Sequence, residues 1–296
     1  MSGREFIVVG VDDSDPALGA AHWAADEASR RHCEVRLIHA FTLPAVAGYP
    51  EFAGSSGELQ AAMRRDGDEL LDRVAADLRR HYPDLLVTTR VGYERPPVVL
   101  RAESADALLT VVGSGGESRF SGALLGSVTL AMASTGPAPV AVVHHGDRVA
   151  ATGPVVLGVD GTATGEDAVA FAFHEASIRG TELLAVHVWN DLVVPGSHRL
   201  QNPLVDPERI QQQEREVLAE RIAGWAEKYP DVPVRQILVE GRAVPSLLEY
   251  AAHAQLLVVG SHGRGGFAGM LLGSTSHALI IHSAAPVVVV RSGAGR

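Results

Sequence analysis

A glycine pattern that occurs twice constrains this chain more than any other feature: Gly113-x2-Gly116-x9-Gly126-Ser127 and Gly260-x2-Gly263-x9-Gly273-Ser274, 147 residues apart. Each copy follows a short apolar run, Leu108 to Val112 or Leu256 to Val259, that reads as a buried strand. Each also gives way to a helical pattern, so strand, glycine loop and helix start recur in the same order. That order brings backbone N–H groups together and suggests a nucleotide site in each half.

The repeat extends well beyond the loops. Ile7 to Asp12 matches Val155 to Asp160, both apolar strands ending in an acid, and Val35 to His39 matches Leu183 to His187. Ala138-Pro-Val-Ala-Val-Val143 matches Ala285-Pro-Val-Val-Val-Val290. The offset is 148 at the acids and 147 at the glycine loops, so one half gained or lost a residue in between. The pattern predicts a duplicated domain, one copy over 1–146 and one over 153–296, joined near His144 to Pro154.

Within each half, strands alternate with helices. Asp15 to Arg31 carries alanines at helical spacing, with Asp15-Pro16 as cap and first-turn proline, and its counterpart spans about Thr164 to Ile178. Second helices are expected near Gly57 to Arg80 and Asp206 to Lys228, and third strands over Leu85 to Val91 and Val234 to Val239. A short helix follows each third strand, at Pro96-Pro97 and at Pro245. The fold class is therefore α/β: two Rossmann-like domains, each a mainly parallel five-stranded sheet with helices on both faces and right-handed crossovers.

Composition narrows the function. The 296 residues are 46% hydrophobic with a net charge of −10 and a single cysteine, Cys33, which excludes an internal disulfide framework. No apolar run approaches the ~20 residues of a membrane span, and Met1-Ser-Gly-Arg-Glu lacks a signal-peptide core, which points to the cytoplasm and away from membranes. An acidic chain without clustered arginines has no electrostatic footprint for nucleic acid. Lys228 is the only lysine, and neither glycine loop holds the Gly-Lys-Ser/Thr of a Walker P-loop.

Ligands of open α/β sheets sit beyond the carboxyl ends of the strands where strand order reverses. That rule gathers Gly10, Asp12, His39 and the loop residues Gly113, Ser114, Gly116, Gly126 and Ser127 around one crevice. It gathers Gly158, Asp160, His187, Val188, Gly260, Ser261, His262, Gly263, Arg264, Gly265, Gly273, Ser274 and Thr275 around another. The loop glycines let backbone N–H groups approach phosphate oxygens, and Gly126-Ser127 and Gly273-Ser274 open helices whose unpaired N–H groups favour an anion. Asp12 and Asp160 are placed to accept from a base or ribose, or to hold a metal-bound water. As alternatives, the loops are plain turns, the acids cap helices, and His39 and His187 are hydrogen-bonded strand ends. His144-His145 reads as surface, Cys33 as a packed thiol, and Trp23 and Trp225 as packing residues.

At these residues the chain resembles the universal stress protein family in its tandem two-domain form. The resemblance rests on both Gly-x2-Gly-x9-Gly-Ser loops, on Val9-Gly10-Val11-Asp12 and Leu157-Gly158-Val159-Asp160-Gly161, and on the closing Ala-Pro-Val strands. It implies domains that bind ATP, or in some members AMP or cyclic AMP, with Mg2+ accompanying ATP, and that pair through their last strand. Here the halves would form an internal pseudo-dimer, and a homodimer of tandem chains is expected. The function so implied is that of a nucleotide-dependent stress-response regulator acting on a protein partner. A slow Mg2+-dependent ATPase and a scaffold with structural ATP are the alternatives, since no catalytic triad, metal-ligand cluster or base for γ-phosphate cleavage stands out. The second loop carries Arg264 where the first has Glu117, and Asp13 stands where the second half has Gly161, so the first site is expected to be weaker, with Arg119 in partial compensation.

Overall fold

The computed structural model describes residues 5–43, 56–115, 125–144, 152–189, 207–263 and 272–293. The chain divides into two compact units, Met1–Gly146 and Asp147–Ala294 apart from the extreme terminal residues. The first unit runs β1 (Phe6–Gly10), α1 (Asp15–Arg31), β2 (Glu34–Ala40), α2 (Ser56–His81), β3 (Val87–Gly92), α3 (Pro96–Glu103), β4 (Leu109–Gly113), α4 (Ser127–Thr135) and β5 (Val140–Val143). The second runs β6 (Val155–Val159), α5 (Glu166–Arg179), β7 (Leu183–Trp189), α6 (Pro207–Lys228), β8 (Val234–Glu240), α7 (Ala243–Ala251), β9 (Leu256–Gly260), α8 (Ser274–His282) and β10 (Val287–Val290).

Each unit builds a parallel sheet from its own five strands, ordered β3-β2-β1-β4-β5 in the first and β8-β7-β6-β9-β10 in the second. The central strands FIVVG and VVLGV are apolar on both faces because helices cover both, and their aliphatic residues are buried. Strand order reverses between β1 and β4, paired through Val9 and Val111, and between β6 and β9, paired through Leu157 and Val258. At each reversal the connections leave in opposite directions, and a crevice opens above the strand ends.

The first helices start differently. α1 is capped by Ser14, whose hydroxyl accepts from Ala17 N–H at 3.4 Å, so the cap lies one residue before the expected Asp15. In the second unit a 3-10 turn, Ala163–Gly165, precedes α5, which begins at Glu166 rather than Thr164 because no proline fixes the first turn there. Both helices end in a left-handed residue, His32 at φ 53° and Gly180 at φ 59°. Each buries an acid–arginine pair one turn apart, Glu27 with Arg31 at 2.6 Å and Glu175 with Arg179 at 3.0 Å. Among the described residues, no helix is long and apolar enough to cross a membrane. Asp206, expected at the head of α6, lies outside the described residues.

Candidate functional site

β1 delivers the first acid. Two residues past its end, Asp12 is exposed, and its Oδ1 accepts from Ser14 N–H at 3.2 Å and from the Ser14 hydroxyl. β6 does the same with Asp160, which accepts from Thr162 N–H at 2.8 Å and from the Thr162 hydroxyl at 2.8 Å. Both acids thus close an Asx turn that launches the following helix. They stand just outside the strands, and one hydroxyl residue two positions on fixes each carboxylate.

The glycine loops are tied at their mouths by matching bonds. Ser114 N–H donates to Val143 O at 2.9 Å, Gly126 N–H to Ser114 O at 2.9 Å, and the Thr129 hydroxyl to Gly113 O at 2.6 Å. In the second unit Ser261 N–H donates to Val290 O at 2.9 Å, Gly273 N–H to Ser261 O at 2.7 Å, and the Ser276 hydroxyl to Gly260 O at 2.7 Å. The long loop therefore returns to its starting strand, and the next helix begins beside the strand end. Gly126 and Gly273 are the N-caps of α4 and α8, and neither supplies a side-chain acceptor to the first turn. Both helices thus open on a Gly-Ser without a side-chain cap, the kind of N-terminus whose N–H groups and dipole favour an anion.

In the first unit these parts enclose a pocket of about 230 Å³. Gly10, Asp12, Gly113, Gly126 and Ser127 line its polar side, and Ile38, Pro96, Leu100 and Val112 line an apolar wall. His39 and Ala40 complete it from β2, and Ala40 is the counterpart of Val188. Ile38 and Val112 come from strands legible in the sequence and Pro96 from a legible helix start, whereas Leu100, Ser14 and Thr129 give no sequence signal of lining a pocket.

Several glycines have reasons of their own. A Cβ on Gly113 would lie 2.7 Å from the Pro16 carbonyl carbon, so this glycine admits the first turn of α1 as well as lining the pocket. A Cβ on Gly10 would lie 3.1 Å from Leu100 and one on Gly158 3.2 Å from Leu247, so both glycines admit close packing at the crevice floor. A Cβ on Gly263 would lie 3.8 Å from Asp160 Oδ2, so the start of the second loop and the second acid are close together. His262, half-buried, has Nδ1 3.0 Å from the Ser261 hydroxyl.

The strand-end histidines are structural in one shared respect. Nδ1 lies 2.9 Å from Val11 O for His39 and 2.6 Å from Val159 O for His187; a carbonyl only accepts, so each ring donates from Nδ1. They differ at the neighbouring helix. His187 Nε2 sits 2.8 Å from Glu214 Oε2 on α6, whereas the matching position on α2 is Gly67, whose Cβ would lie 2.8 Å from His39 Cδ2. One helix position thus carries a carboxylate in one copy and bare backbone in the other. Glu214 was not singled out from sequence, since a Glu within a charged helical stretch gives no signal.

Asp13, next to the pocket-lining Asp12, pairs with Arg73 on α2 at 3.1 Å and is not itself among the residues that line the pocket. Cys33 is buried, and burial pushes its thiol up to about 11, with Arg31 opposing the shift and Glu27 and Glu5 adding to it. This is an unreactive thiol at neutral pH. Gly116, Arg264 and Gly265, with Glu117, Arg119 and His145, lie outside the described residues.

Comparison with known proteins gives a consistent picture. The model of the universal stress protein family matches twice, over residues 4–144 and 152–291. A universal stress protein of Mycolicibacterium smegmatis is 40% identical over 297 residues, covering 98% of each chain. One from Mycobacterium tuberculosis is 39% identical over 293 residues, covering 96% of each. Among solved structures, a universal stress protein from Archaeoglobus fulgidus is similar in fold, with a TM-score of 0.70 at 20% identity over 97% of this chain and 98% of that one.

Proposed function

This chain belongs to the universal stress protein family, and from that premise we propose that it is a nucleotide-binding regulator holding ATP, or a related adenine nucleotide, in the crevice of each unit. The observation that carries the proposal is the uncapped opening of α4 and α8, each beginning at a Gly-Ser beside the end of a central strand. Such an N-terminus offers convergent N–H donors and a favourable dipole to phosphate oxygens. In the first unit the phosphates lie at Gly126 and Ser127, the base rests on the wall of Ile38, Pro96 and Leu100, and Asp12 faces the ribose or a Mg2+-bound water. In the second unit Gly273, Ser274 and Asp160 take the same parts, with Arg264 adding a positive charge. Occupancy regulates the protein by favouring one conformation or assembly over another in its encounter with a protein partner, which requires the two states to differ in affinity for nucleotide. The chemistry is binding rather than turnover.

Titration calorimetry of nucleotide-free full chain with ATP and Mg2+ tests this. Saturable binding is expected, with Gly273→Ala weakening it more than Gly126→Ala because the second loop carries Arg264 and the first Glu117. Absence of binding at millimolar ATP would remove the proposal, and the reverse order of the two variants would remove the ranking.

A further inference from the structure

Away from either crevice, α1 and α2 of the first unit meet along a polar seam. Three bridges descend it in order: Asp13 to Arg73, His22 to Asp77, and Asp26 to Tyr82. The middle bridge is more than an ion pair. His22 Nε2 lies 2.8 Å from Asp77 Oδ2, and His81, one turn beyond Asp77, has Nδ1 3.8 Å from Asp77 Oδ1. Its ring meets that of His22 edge-on at 5.5 Å. One ligand atom from each of His22, Asp77 and His81 falls within 4.8 Å of the others.

We infer that His22, Asp77 and His81 form a binding site for a borderline divalent transition-metal ion of the Zn2+ class, bridging α1 and α2 of the first unit. Two imidazoles and a carboxylate are the donor set such ions take, and three protein donors leave a position for water. A tetrahedral ion with bonds of about 2.0–2.1 Å holds its donors ~3.3–3.5 Å apart, so closing this cluster needs only small side-chain rotations. The side chains have the exposure to make them, at 41%, 33% and 59%, and His81 gives up the bond that its Nδ1 donates to Asp77 O at 2.9 Å when that nitrogen turns to the ion. Asp77 and His81 project from successive turns of one helix, the i, i+4 arrangement that places two donors on one face. Arg80 holds Asp77 Oδ1, leaving Oδ2 directed at His22, which orients the carboxylate as an outer partner of a metal ligand does.

The second unit supplies the internal control. At the same helix positions it has Ala170, Gly224 and Lys228, and the seam there packs through Phe173, Tyr229 and Trp225. The two-helix contact therefore does not require a histidine–aspartate cluster, and the first copy carries metal-binding chemistry that the fold itself does not demand.

The test is calorimetric titration of the EDTA-stripped full chain with ZnCl2, beside His22→Gln, His81→Gln and Asp77→Asn. Wild type is expected to take up one Zn2+ tightly, and each substitution to weaken that event by at least the ~10–100-fold that loss of a mere outer-shell partner costs. The melting temperature should rise with Zn2+ in wild type only, while ATP affinity stays the same in all four proteins. Unchanged Zn2+ affinity in both histidine variants, or no saturation of wild type, would overturn the inference. Melting in EDTA identifies any variant that fails to fold, and the other histidine variant then decides.

Discussion

Gly113 and Gly260 end equivalent strands, but a methyl group added to each meets different surroundings: α1 backbone at 2.7 Å in the first case, His262 O at 3.3 Å in the second. Gly113→Ala must push α1 away from β4, which at the cost of overpacking amounts to about 1–3 kcal/mol. Gly260→Ala asks far less. Thermal or urea unfolding of the two variants separates them, and equal losses would mean that Gly113 is not a packing residue. Cys33 makes a second residue-scale prediction. With its thiol held at about 11 against about 8.5 in an unfolded chain, the folded state keeps its proton while the unfolded state gives it up. Stability from this site is therefore complete below the unfolded value and is lost as pH rises through the folded one. Cys33→Ser should flatten the decline in stability between about pH 8.5 and 11, and alkylation of the native protein at neutral pH should be slow; fast labelling would contradict the burial.

Elements show what sequence carries and what it hides. The strands and helices followed from apolar runs, alanine spacing and prolines, because those patterns record local geometry and which face is buried. The acids at strand ends and the Gly-Ser helix starts were legible for the same reason. Glu27 was not: it lies on the buried face of α1 with Arg31, and a charged pair one turn apart looks the same in sequence whether solvated or enclosed. Nor was the exchange of Gly67 for Glu214 beside the two histidines, which depends on which residues of distant elements touch. That exchange is testable. Gly67 sits inside α2, where alanine is intrinsically favoured by about 1 kcal/mol, yet its Cβ would stand 2.8 Å from His39 Cδ2. Gly67→Ala should fail to stabilise the wild type and should stabilise the His39→Ala background. Equal effects in both backgrounds, measured as a double-mutant cycle, would show that the two residues do not compete for this space.

For the whole molecule, duplication means that one architecture has been built twice and its chemistry adjusted separately. The two units repeat their strand order, their Asx turns and their uncapped helix starts, while they differ at Glu117 and Arg264, at Gly67 and Glu214, and at the histidine cluster of α1 and α2. Both units retain the uncapped Gly-Ser helix starts through that divergence, and on that ground we propose two working crevices rather than one crevice and a structural relic. The most direct measurement is mass spectrometry of nucleotide released by denaturing freshly purified protein, with Gly126→Ala and Gly273→Ala in parallel. The account predicts ATP, unhydrolysed and reduced most by Gly273→Ala. Recovery of no nucleotide, together with no binding on titration with ATP and Mg2+, would contradict it and leave the glycine loops as turns that only join strand to helix.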